Sequence, residues 1–108
     1  MTFFQSEIVQ EEINRIAELQ EKVYSDVFSV PNMNKSEKIE HINLLEELLK
    51  KQEILYFRLN MSDDPEAKAM KQQIIEGASS LGYSRDTDFS QVFKNMNDVI
   101  RRLKASLD

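Results

Sequence analysis

His41 is the only imidazole in the chain, and no cysteine accompanies it. A metal centre is the sharpest catalytic possibility for an acidic helical protein, because di-iron bundles combine inward Glu side chains with two Glu-x-x-His pairs. Three residues before His41 stands Lys38, and neither Glu40 nor Glu37 reproduces that spacing. His41 is therefore expected at the half-exposed flank of a helix. The acid pairs Glu11-Glu12, Glu46-Glu47 and Asp63-Asp64 are chain neighbours. On a helix such neighbours diverge by about 100° and do not chelate together. Asp86 and Asp88 lack the glycine and terminal glutamate of a calcium loop. The serines are scattered, no acid frames the single histidine for nucleophilic work, and Gly77 and Gly82 alone cannot build a phosphate loop. Met33, Met61, Met70 and Met96 are spread along the chain as gap fillers. No catalytic residue, cofactor or metal ligand is expected, and the chain is not expected to be an enzyme.

Two kinds of residue are more informative. Gln20 and Gln52 each interrupt an apolar stripe near the middle of a helical stretch. Facing each other, they would hydrogen-bond and fix register at some cost in stability; otherwise each lies at a wet margin. The second kind is the adjacent pair Phe3 and Phe4, followed by Ile8, at an end where chains usually fray. A capping box between Thr2 and Gln5 would run the first helix back to Phe3, with both rings about 120–140° away from its apolar seam. A cap at Ser6 would leave an arm whose staple position holds Gln5 opposite Gln10, neither apolar. Neither geometry houses both rings on the first helix. Phe3, Phe4 and Ile8 are therefore the candidate partner-binding residues, with a dimer mate first and another protein next. An arm folded over the second or fourth helix is the competing outcome.

The elements that carry these residues are helical. One stretch, about 6–29, places Val9, Ile13, Ile16, Val23 and Val27 in a narrow seam and ends at Val30-Pro31. The next, about 35–60, opens with Asn34 and Glu37 as a capping box. Its apolar residues Ile42, Leu45, Leu49, Tyr56 and Leu59, flanked by Ile39, Leu44, Leu48, Ile54, Leu55 and Phe57, cover more than one face. This helix belongs at the centre. Asp64-Pro65 starts a third, about 65–81, since proline fits a first helical turn, and Gly82 suits its stop. Asp88 with Gln91 starts a fourth, about 89–106, carrying Phe89, Val92, Phe93, Met96, Val99, Ile100 and Leu103. Short connections imply antiparallel neighbours. The fold class is thus all-α: one domain over 1–108, an antiparallel bundle of four helices with a long hairpin of the first two. The last two are too short to cover that hairpin, so a dimer is expected.

The 108 residues carry a net charge of −5. Residues 1–30 hold six acids against two bases, and residues 89–108 hold two acids against four bases. The acidic total argues against nucleic acid as a partner, which needs clustered cations. No charged-then-apolar leader and no apolar run near 18 residues are present, so neither secretion nor a membrane partner is expected, and the cytoplasm is the expected location. Arg101, Arg102 and Lys104 sit where a last helical turn welcomes cations.

Three stretches together, "FFQSEIVQEE", "LLEELLKKQEILYFRLNMSDDPEAKAM" and "VFKNMNDVIRRLKASLD", resemble a family of small uncharacterised helical proteins found in cyanobacteria and in the phages that infect them. The likeness covers nearly the whole chain, and the aromatic pair before Ser-Glu-Ile-Val is its most distinctive part. The segment "SRDTD" departs from the cellular members and suggests a phage copy. The resemblance implies a setting, the cytoplasm of a photosynthetic bacterium, and no catalytic residue. The function expected is that of a non-catalytic interaction protein, phage-encoded, that forms a homodimer and modulates a host complex. The alternative is a small enzyme or a metal- or ligand-binding bundle.

Overall fold

The computed structural model describes residues 3–107. Four α-helices account for most of them: α1 Glu7–Asp26, α2 Lys35–Met61, α3 Pro65–Ser80 and α4 Phe89–Ser106, with no strand among the described residues. Short 3-10 segments precede and follow α1, at Phe3–Gln5 and Val27–Asn32. The proposed Thr2 cap lies outside the described residues.

Local chemistry explains most boundaries. Asn34 and Glu37 form the full capping box of α2: the Glu37 amide donates to Asn34 Oδ1 at 2.9 Å and the Asn34 amide to Glu37 Oε1 at 3.4 Å. Asp64 caps α3 by accepting from the Glu66 amide at 2.9 Å, with Pro65 in the first turn. The α3 terminus is a Schellman turn: the Tyr83 amide donates to the Ala78 carbonyl and the Gly82 amide to Ser79, both at 3.0 Å. Gly82 takes φ +102° there. A Cβ at this position would meet no atom within 4 Å, so only the backbone resists a side chain. Gly82→Ala should therefore lower unfolding stability by about 1–2 kcal/mol in a denaturant titration. An unchanged midpoint would show that the turn does not hold this conformation in solution.

Two boundaries differ from the sequence expectation. The α-helical part of α1 stops at Asp26, and Val27–Asn32 continues as a 3-10 turn through Pro31. A proline ring clashes with the carbonyl four residues earlier. For Pro31 that is the carbonyl of Val27, so tightening begins there. At α4, Asp88 accepts from the Ser90 amide at 3.0 Å, but the Gln91 side chain turns forward to Asn95 at 3.0 Å. The cap is present without the expected reciprocal box.

Among the four α-helices, every extensive pairing has α2 as one member. On one side Val9, Ile16 and Leu55 form a buried cluster backed by Ile13 and Leu48. On another side Ile42, Leu49 and Ile100 form a second, backed by Leu45, Phe93 and Leu107. Leu19 and Leu59 are enclosed between helices, and Ala67 lets α3 approach α2 closely. Ion pairs fasten the outside. Arg15 makes a forked contact with Glu47 through Nε and Nη2, at 3.0 and 3.2 Å, while Arg58 reaches Glu12 and Lys104 reaches Glu46. Glu47, and secondarily Glu18, hold the Arg15 guanidinium even more firmly protonated than usual. At so exposed a site this sets geometry more than stability.

Candidate functional site

The extensive pairings all run through α2, and α1 and α4 each pack on it. A trough runs over α2 beside α4, in three adjoining hollows of about 490, 330 and 380 Å³, with the 3-10 segment as the opposite wall at one end, α1 and α3 at the other, and α2 and α4 alone lining the middle. The first two share Leu45 and Leu103, and the last two share Gln52 and Met96. Its floor follows α2 from His41 to Leu59, about 27 Å at 1.5 Å per residue. The α4 wall presents Val92, Met96, Val99 and Leu103. The spacing of these four side chains puts them on one helical ridge. Met96, Val99 and Leu103 keep between 43% and 50% of their surface exposed, a large fraction for apolar side chains aligned in one groove.

Gln20 and Gln52 both line the 380 Å³ hollow, half-buried, from α1 and α2. No hydrogen bond joins them among the described residues. Their amides are the polar exception in a wall otherwise built from side chains such as Leu55, Tyr56, Ile74 and Phe93. Tyr56 packs its ring at 5.1 Å from Phe89 and 6.0 Å from Phe93, which closes that end of the trough.

The amino-terminal aromatics lie elsewhere. Phe3 and Phe4 meet edge to face at 5.0 Å and pack, half-buried, on the Val9–Ile16–Leu55 cluster. The expectation that neither ring could reach the core of the first helix is corrected by the turn at Ser6. The Ser6 amide donates to the Phe3 carbonyl at 3.3 Å, and extended geometry at Ser6 swings the arm back. Three further contacts hold the arm. The Phe3 amide donates to Asp64 Oδ2 at 2.6 Å, Gln10 Nε2 donates to the Phe4 carbonyl at 3.0 Å, and the arm packs against α3. Ile8 is 56% exposed on α1, and Met61, which borders a wide shallow hollow with Phe3, Val9 and Pro65, is 78% exposed.

His41 is also corrected. It is 8% exposed, not half-exposed, because the 3-10 segment after α1 and the end of α4 pack around the first turns of α2. Tertiary packing of a segment 10–14 residues away in the chain produced that burial, so no local pattern revealed it. No group of three or more His, Cys, Asp or Glu side chains converges as metal ligands among the described residues. None of the described helices is long and apolar enough to cross a membrane.

A family model described as a domain of unknown function, DUF1825, matches residues 1–107. Neither a curated protein nor a solved structure matches the chain.

Proposed function

The chain belongs to the DUF1825 family, and on that footing we propose that it is a non-catalytic helical interaction protein whose trough takes an apolar helix ridge, first of all from a second copy of itself. The observation that carries this reading is uncovered surface. The accessible area is 7633 Å² for 12.7 kDa, against about 6,200 Å² for a compact monomer of that mass. The radius of gyration is 15.7 Å, against about 13 Å for a compact chain of this length. The excess, on the order of 1,400 Å², exceeds the roughly 800 Å² that each partner gives to a standard interface.

A second copy fits the trough in shape and charge. The chain carries its own ridge, Val92–Met96–Val99–Leu103, of the kind that fills such grooves. Acids Glu7, Glu11, Glu18 and Glu21 are exposed on α1, and bases Lys94, Arg101 and Arg102 on α4. A two-fold arrangement that sets α4 of each copy beside α1 of the other brings opposite charges together. The antiparallel course of α1 and α4 along α2 belongs to the same reading. It is supported by the Glu12–Arg58 pair, which joins the first half of α1 to the end of α2, and by Glu46–Lys104 with Glu53–Asn97, whose partners run in opposite order along α2 and α4.

The wider setting rests on the sequence resemblance: the cytoplasm of a cyanobacterium or of one infected by a phage, with a host protein complex as a further partner. For that partner the surface on offer is the exposed apolar side chain of Ile8 on α1 and that of Met61 beside the hollow under the arm, while the inner faces of Phe3 and Phe4 are used by the chain itself. Sedimentation equilibrium tests the primary claim. A dimer at micromolar concentration is expected, and a monomer at several hundred micromolar would overturn it.

A further inference from the structure

The His41 end of the trough differs from the rest. One wall is the 3-10 segment, with Val30 and Pro31; the floor is Ile42 and Leu45; the far wall is the last turns of α4, with Leu103 and Leu107. The hollow measures about 490 Å³, within the usual range of small-molecule sites. Two nitrogen groups meet this apolar lining. Lys38 is half-buried, and its ammonium has no ion-pair or hydrogen-bond partner among the described residues. His41 is more than nine-tenths buried, and its Nδ1 is enclosed with no partner.

The donor side of that ring follows from Nδ1. An enclosed lone pair costs less than an enclosed N–H with nothing to accept it, so Nε2, which is not enclosed, is the nitrogen placed to donate. Asp26, Glu37 and Glu40 border a separate niche of about 150 Å³ on another side of the ring, with Lys22. Lys22 lies 4.0 Å from Asp26, and Glu37 is held by the cap of α2. The acids therefore do not line the larger hollow. That hollow holds one unpaired cation, the His41 ring, the Ser106 hydroxyl, which already donates to the Leu103 carbonyl at 2.8 Å, and a wall of aliphatic side chains.

We propose that this hollow binds a medium-chain fatty carboxylate, its headgroup on Lys38 and the His41 Nε2–H, its tail along Ile42, Leu45, Leu103 and Leu107. A single ammonium beside one imidazole N–H donor matches a carboxylate, which accepts from both. The Ser106 hydroxyl is already given to the Leu103 carbonyl, so beyond Lys38 and His41 the lining offers no further donor to the remaining oxygens of a free phosphate, and a fatty alcohol would leave the ammonium without a counter-charge. The site goes beyond the docking role and uses only the His41 end of the trough; because Leu45 and Leu103 also border the next hollow, the titration is read beside sedimentation, so that a failure of either reading is seen separately.

The test is a titration of the full chain with decanoate below its micellar concentration, followed by calorimetry and by the nitrogen shifts of the single histidine. Saturable binding with one site per chain is expected, accompanied by movement of the His41 ring signals. Lys38→Met should weaken binding at least about tenfold, the size of a lost charge-assisted contact. Decanol should bind correspondingly less well, and acetate and inorganic phosphate should not saturate. The Lys38→Met variant must keep the helical circular dichroism of the parent, and Lys38→Arg should recover most of the affinity. No saturable binding of decanoate would overturn the proposal. So would equal affinity for decanol, or binding that leaves the His41 signals unmoved.

Discussion

The double variant Met96→Glu, Val99→Glu should be a folded monomer. Both side chains are about half-exposed on the α4 ridge, 48% and 50%. Surface changes away from caps and cores usually shift stability by no more than about 0.5 kcal/mol each, so the helical signal and the thermal transition of the subunit should survive. Association should not. In a trough-to-trough dimer each copy would bring two carboxylates onto Leu48, Leu49 and Ile100, and a buried unpaired charge costs several kcal/mol. The dissociation constant should rise at least about a hundredfold, from roughly 3 kcal/mol of lost binding. Sedimentation equilibrium beside circular dichroism reads both halves. A variant that stays dimeric would place the interface elsewhere. A variant that unfolds as a monomer would mean that the ridge is part of the subunit's own core.

The same ridge shows where sequence reasoning works and where it stops. The box at Asn34 and Glu37, the Asp64-Pro65 start and the Gly82 stop were legible because each is a contact between residues a few positions apart. The central place of α2 was legible as well, since a helix apolar on several faces needs neighbours on several sides. What escaped was set by packing between distant segments. His41 is buried by a turn that Pro31 shapes and by the far end of α4. The trough exists because α4 packs along α2 while the 3-10 segment, α1 and α3 border the trough only at its two ends, and periodicity cannot say which neighbour a face meets. Gln20 and Gln52 stood out as stripe-breakers, yet only the fold shows that both border one hollow without bonding each other. The rings of Phe3 and Phe4 are expected outward because the arm that a Ser6 cap leaves offers only the staple Gln5 opposite Gln10 locally, whereas its return to Leu55 and Asp64 joins residues far apart in the chain.

That arm carries the second large effect. Asp64 does two jobs with one carboxylate: Oδ1 accepts from the Glu66 amide at 2.9 Å to start α3, and Oδ2 accepts from the Phe3 amide at 2.6 Å. The Ser62 hydroxyl in turn accepts from the Asp64 amide at 3.1 Å and steadies the residue. The arm therefore ties the amino end of α1 to the start of α3 through a single side chain, while its rings cover Val9, Ile16 and Leu55. Half-burial of two aromatic rings removes on the order of 150–250 Å² from water in total, so Phe3→Ser with Phe4→Ser should cost about 3–5 kcal/mol of unfolding free energy. Asp64→Ala should cost about 2–3 kcal/mol, a cap of about 1 kcal/mol plus a charge-assisted bond. The two losses should not add. With the rings gone the arm no longer holds Phe3 near Asp64, and the second change should then cost only the cap, about 1 kcal/mol, leaving a coupling of roughly 1–2 kcal/mol. Urea titrations of the four proteins close this cycle. Additive losses would show that the arm and α3 are not joined through Asp64. A ring-deleted variant as stable as the parent would show that the aromatics do not belong to the subunit's core and return them to an external partner.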